Sequence, residues 1–105
     1  MKSNIWFEGP HMGVRRVFRK TGMISYALYR PYDTRRSTID AFDNPLEALL
    51  VAEYINQHDG SYEADQRKAA RSHAGATMAS MENEGKSGLQ VLLEMDRAVR
   101  QKYTV

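Results

Sequence analysis

The stretch Val14-Arg15-Arg16-Val17-Phe18-Arg19-Lys20-Thr21-Gly22-Met23-Ile24-Ser25-Tyr26-Ala27-Leu28-Tyr29 decides the fold. Two alternating runs flank Lys20-Thr21-Gly22. Alternation is the strand period, and a three-residue loop ending in glycine suits a type I turn whose last residue takes the left-handed conformation. That turn sets a register in which Phe18 faces Ile24, Arg16 faces Tyr26 and Val14 faces Leu28. One face of the hairpin then carries Val14, Phe18, Ile24, Tyr26 and Leu28, a usable core. The other carries Arg15, Val17, Arg19, Ser25, Ala27 and Tyr29. A two-residue turn would slip the pairing by one residue and scatter the apolar set.

Working outward, Pro31-Tyr32-Asp33-Thr34 reads as a turn and Arg36 to Phe42 as a third strand, through Thr38, Ile39, Ala41 and Phe42. Ile5-Trp6-Phe7 offers a short additional strand. Gly9-Pro10-His11-Met12 looks like a tag-cleavage remnant, but no protease site precedes it, and it is read as native. Near Phe42 the composition changes from β-branched and aromatic residues to Ala, Leu, Glu and Met, so helices follow strands. Asn44-Pro45-Leu46-Glu47 is a helix start: Asn44 caps, Pro45 suits the first turn and Glu47 completes a capping box. This helix runs to about Gln57 and stops at His58-Asp59-Gly60. Its apolar residues point almost everywhere, which places it between the sheet and the later helices.

Ser61 is read as the cap of a second helix through about Glu84, with a small-residue stripe of Tyr62, Ala69, His73, Ala76 and Ser80. After the break at Glu84-Gly85-Lys86, Ser87-Gly88-Leu89-Gln90 opens a third helix with Leu89, Leu92, Met95, Val99 and Tyr103 on one face. The expected fold is therefore α+β: a three-stranded antiparallel sheet, four-stranded if Ile5-Trp6-Phe7 pairs as well, followed by three helices. Residues 1–105 form a single domain, with a β-rich basic part at 1–42 and a helical part at 43–105.

The 105 residues, 42% hydrophobic and 27% charged, have the balance of an ordinary globular domain, which excludes collagen, a disordered acidic tail and a disulfide miniprotein. No window approaches the roughly 20 apolar residues of a membrane span, and the N-terminus has no signal-peptide h-region. With no cysteine, the expected location is the cytoplasm. The net charge of +2 is unevenly spread: residues 1–40 carry +5 and residues 41–105 carry −3. By charge alone such a basic front fits a solvated face better than a docking surface, whose partner would be nucleic acid or an acidic protein.

Site chemistry is sparse. His11, His58 and His73 stand far apart without a companion at ligand spacing, and no nucleophile-elbow, zincin or phosphate-loop motif occurs. Neither a metal nor a cofactor nor an enzymatic activity is expected. The best signal is the basic sheet: Arg15, Arg19 and Tyr29 on the face away from the core, with Arg30, Arg35 and Arg36 at its edge. Arginine and tyrosine are interface-enriched types, while a basic sheet can also track phosphates. His73, Met78 and Met81 are secondary interface candidates, since methionine adapts to varied partners, and helix 61–84 offers a surface for a homodimer.

From Val14 to Asn56, the basic hairpin with Tyr26-Ala27-Leu28-Tyr29, the strand Ala41-Phe42 and the capped helix Pro45-Leu46-Glu47-Ala48-Leu49-Leu50-Val51-Ala52-Glu53-Tyr54-Ile55-Asn56 resemble short accessory proteins of bacteriophages and other mobile elements. In outline they are also similar to the three-strand-plus-helix arm-binding domains of tyrosine recombinases, which read DNA with their sheet. The first resemblance implies a small binding protein that inhibits or modulates a host assembly handling nucleic acid, for example a defence complex. The second implies a DNA-binding sheet. Neither assigns a role to any residue.

Overall fold

The structure, a computed structural model, describes residues 2–85 together with Gln90, Glu94 and Arg97. Four strands form one antiparallel meander in chain order: β1 (Lys2–Glu8), β2 (Gly13–Phe18), β3 (Ile24–Tyr29) and β4 (Asp40–Phe42). Two helices follow, α1 (Pro45–Gln57) and α2 (Ala64–Asn83). The β2–β3 register pairs Val14 with Leu28, Arg16 with Tyr26 and Phe18 with Ile24, as the hairpin reading requires. The turn closes through Gly22 N–H to Arg19 C=O (3.0 Å) and Arg19 N–H to Met23 C=O (2.9 Å). Gly22 has φ +87°, the left-handed conformation that glycine enters without a Cβ clash.

β1 is a full edge strand, longer than the Ile5-Trp6-Phe7 segment expected. Its pairing with β2 shifts between Ile5 and Phe7, an irregularity that turns Phe7 into the core beside Val14. The β1–β2 turn is held by Asn56 of α1. Its Oδ1 accepts from the His11 and Met12 N–H groups (2.7 and 2.8 Å), and its Nδ2 donates to the Met12 carbonyl (2.9 Å). Met12 is fully buried, so Gly9-Pro10-His11-Met12 is part of the fold. A Cβ on Gly9 would lie 2.3 Å from Asn56 Nδ2, and only glycine lets that amide approach.

α1 starts as expected, with the Asn44 side chain accepting from the N–H groups of Leu46 (2.9 Å) and Glu47 (3.3 Å). It lies between the sheet and α2, and Leu49, Leu50, Val51, Ala52 and Ile55 are all buried. The core joins these residues to Phe7, Met12, Val14, Leu28 and Phe42, and to Ala70 and Ala74 of α2. The hairpin tip extends past this core, leaving Phe18 38% and Ile24 36% exposed although both were assigned to it.

Two boundaries differ from expectation, each for a local reason, and so does the packed face of α2. The strand read over Arg36–Phe42 is only Asp40–Phe42, because the Asp33 carboxylate takes the N–H groups of Arg35 and Ser37 (3.0 Å each) and winds residues 33–37 into a loop. α2 begins at Ala64 rather than after Ser61: the Ser61 N–H is held by Asp59 Oδ1 (3.0 Å), and Glu63 is still extended. The α2 stripe that packs is Ala70 and Ala74, with Met78 beside the core, whereas Ala69, His73, Ala76 and Ser80 are exposed. The third helix expected from Ser87 onward lies outside the described residues, apart from Gln90, Glu94 and Arg97, which are helical. No helix among the described residues is long and apolar enough to cross a membrane.

Candidate functional site

The face of the sheet opposite α1 follows directly from the hairpin alternation. Ser3 of β1 and Ser25 of β3 flank Val17 of β2 in one cross-strand row, while Ile5 and Ala27 flank Arg15 in the next. Arg19 follows Val17 on the same side. The serine pair therefore sits between two guanidinium-bearing positions, and with neighbouring strands about 4.8 Å apart all of these groups border one small area. Ser3, Ser25, Arg15 and Arg19 line a recess of roughly 320 Å³, to which Val17 and Ala27 contribute the apolar part and Thr38 a further hydroxyl.

Thr38 arrives there because the β3–β4 connection folds back. The Arg36 N–H bonds the Asp33 carbonyl (3.1 Å), Arg36 takes φ +51°, and the Ile39 N–H rejoins the sheet at the Leu28 carbonyl (2.8 Å). The backbone N–H bonds from Ser37 and Arg35 hold the Asp33 carboxyl below its ordinary range. The Arg15 guanidinium donates to Thr38 Oγ1. Its Nε is buried and makes no hydrogen bond among the described residues.

The six sequence-predicted positions separate into distinct groups. Arg15 and Arg19 both line the recess, Arg15 half-buried and Arg19 exposed. Arg35 and Arg36 are exposed on the β3–β4 connection. Arg30 does something else: its Nη1 donates to the carbonyls of His11 (3.0 Å) and Gly60 (2.6 Å), tying the β1–β2 turn to the α1–α2 loop. Tyr29, expected on an open surface, is fully buried. Its ring lies over Gly13, where a Cβ would come within 2.5 Å, and its hydroxyl bonds the Glu8 carboxylate. Burial first and Glu8 second raise that hydroxyl's pKa above the ordinary tyrosine value. Alternation placed Tyr29 on the correct side, but this side of β3 is covered: Ser25 is 3% and Ala27 1% exposed.

The secondary candidates also separate. Met78 packs against the core and Met81 is half-buried. His73 is exposed, with its ring 5.3 Å from that of Tyr54, which in turn stacks on His58 at 4.0 Å. A second polar cluster joins β4 to α2. Asp40 Oδ2 accepts from Tyr62 (2.7 Å) and Arg71 (2.9 Å) and pairs with Arg67 Nε (3.2 Å), while the Arg71 guanidinium lies 4.7 Å from the Phe42 ring centre. Burial raises the Asp40 carboxyl pKa, but the bonds from Arg71, Tyr62 and the Ala41 N–H outweigh it and leave the carboxyl below its ordinary range. The Tyr62 hydroxyl, desolvated and bonded to Asp40, is pushed up to about 12.

The electrostatic contrast between these clusters defines the site. Among the described residues, Arg67 and Arg71 are paired with Asp40, whereas Arg15, Arg19, Lys20, Arg35 and Arg36 make no ion pair. No group of three His, Asp or Glu side chains among the described residues converges as metal ligands do. Sequence reading missed Ser3, Ser25 and Thr38 as site groups. The two serines follow from the strand alternation once β1 is paired, and Asp33 two residues before Arg35 is the side-chain-to-backbone turn signal that brings Thr38 over. No known protein family, curated protein or solved structure matches this chain.

Proposed function

We propose that this protein is a non-enzymatic binding module that docks an acidic surface of a partner protein on the basic face of its sheet. The observation that carries this reading is the set of arginines without ion pairs around a shaped recess, on the side of the sheet away from α1. Unneutralised cations steer and orient an anionic partner, and arginine can bond bidentately to carboxylates. The burial of Tyr29 removes from this face the ring on which a nucleobase would stack, which favours protein over single-stranded nucleic acid. The phage-like resemblance of residues 14–56 points to a bacterial host assembly as the partner.

The test is a low-salt pull-down from bacterial lysate with the wild-type chain and the charge-reversed variant Arg19→Glu/Arg35→Glu, both residues being exposed. A stoichiometric protein recovered by the wild type and lost by the variant supports the reading. Equal recovery by both removes the sheet face as the docking surface. In parallel, a 30-base-pair duplex is titrated across a salt series. Binding that falls with a log–log slope of about −0.9 per phosphate contact, and that the same variant abolishes, would replace protein docking by nucleic-acid binding.

A further inference from the structure

We infer that the recess is a phosphate-monoester site, and that its occupant is a phosphorylated side chain of the docked protein. The inference rests on the proposed docking face and specifies the group that anchors there.

Three observations converge on a dianionic, tetrahedral ligand. First, every polar side chain lining the recess can donate: the guanidinium groups of Arg15 and Arg19 and the hydroxyls of Ser3, Ser25 and Thr38, with no carboxylate among them. A lining with two guanidinium groups and no carboxylate selects an anionic ligand, to which the hydroxyls can donate as well. Second, the donors come from different directions. Ser3 and Ser25 stand on the strands either side of β2, Arg15 lies on β2 and Arg19 just beyond its end, and Thr38 comes from the connection that folds over. A carboxylate is planar and is satisfied by one guanidinium edge, whereas a phosphate presents oxygens to several directions at once and carries up to two charges. Third, Arg15 is held ready. Thr38 Oγ1 fixes one end of its guanidinium, so the side chain is already ordered on this face before a ligand arrives. Once it accepts from Arg15, the Thr38 hydroxyl can direct its own proton to the ligand.

The recess, at roughly 320 Å³, has room for a phosphate and the first atoms of the side chain bearing it. Val17 gives those carbon atoms an apolar surface. The charge distribution favours the same occupant: the neighbouring cations Lys20, Arg35 and Arg36 make no ion pair among the described residues, whereas Arg67 and Arg71 are already paired with Asp40.

The experiment is an NMR titration of the ¹⁵N-labelled full chain, following backbone amides and the Arg15 Nε–H. Inorganic phosphate is the first probe, a short phosphoserine peptide the second and its unphosphorylated twin the third, with adenosine monophosphate as a small-molecule source. Saturable shifts centred on Ser3, Arg15, Val17, Ser25 and Thr38 are expected with phosphate and, more tightly, with the phosphoserine peptide. The unphosphorylated peptide should leave them unmoved. Arg15→Gln should weaken phosphate binding about tenfold or more, and Ser25→Ala by a smaller factor. Unchanged spectra with phosphate and phosphopeptide overturn the inference, as does undiminished binding by an Arg15→Gln/Arg19→Gln variant with a native spectrum. Tighter binding of adenosine monophosphate than of the phosphopeptide overturns the assignment to a protein side chain. Failure here leaves the pull-down readable by itself: a partner lost on Arg19→Glu/Arg35→Glu without any phosphate response retains the docking face and removes its phosphate anchor.

Discussion

The two faces of this sheet are built from the same four strands, yet they are closed in different ways. On one face Phe7, Val14, Leu28 and Phe42 meet the aliphatic side of α1, and the space is filled by carbon. On the other, β3 is covered by its own neighbours: Tyr29 lies over Gly13 and bonds Glu8, and the β3–β4 connection bends back so that Thr38 meets Arg15. The first closure is non-directional and scales with buried apolar area. The second depends on particular hydrogen bonds and leaves a polar recess. Stability is therefore concentrated on the helix side, and the proposed docking face is the other.

That contrast predicts a gradient of mutational effects. Leu50→Ala, in the α1 layer, should cost about 2–5 kcal/mol by urea unfolding, from lost transfer energy and a residual cavity. A midpoint near wild type would contradict the placement of α1 between sheet and α2. Asn56→Ala tests whether a polar residue on the helix side matters as much as an aliphatic one. It leaves the Met12 N–H and C=O without their partner in a buried site, and a loss of about 2–4 kcal/mol is expected in the same measurement. A loss below about 1 kcal/mol would show that water or a shifted backbone replaces the amide.

Asp40 supplies a pH-dependent link between the sheet edge and α2. Its carboxyl pKa is lower in the fold than in the unfolded chain, so the unfolded state binds more protons between the two values. The associated stability is present above the unfolded value and is lost as pH falls through the folded one. Unfolding midpoints measured from pH 7 down to pH 3 should decline in the acid range, and Asp40→Asn should flatten that decline. At pH 7 this variant should be destabilised by about 1–3 kcal/mol, since Arg67 and Arg71 lose their charged partner. An unaltered acid profile would mean that other carboxylates carry the dependence. The smallest effect belongs to the recess side: Arg19→Ala should change stability by less than about 0.5 kcal/mol, because the side chain is exposed and makes no ion pair among the described residues. A larger loss would make the basic face part of the scaffold and erase the division of labour between the two faces.

Much of this architecture is local and was therefore legible. The three-residue turn ending at Gly22 needs only a left-handed glycine and two alternating runs, and it sets the whole β2–β3 register. The Asn44-Pro45 start of α1 and its end near Gln57 likewise depend on neighbours in sequence. The charge asymmetry and the side of the sheet on which Arg15 and Arg19 fall follow from composition and the period of two. Tertiary structure decided the rest. Alternation says which side Tyr29 points to but not what lies over that side, and Glu8 arrives there only because β1 pairs with β2. Arg30 reads as one more surface cation until the fold brings the carbonyls of His11 and Gly60, respectively 19 and 30 residues away, to its guanidinium. Asn56 ends an apolar helix, and its amide becomes a fastener for the β1–β2 turn 44 residues earlier. Covalent geometry and short-range hydrogen bonding act over a few residues and leave their pattern in the sequence. Burial and the partners of long polar side chains are set by which distant segments pack together, so they exist only once the chain has closed.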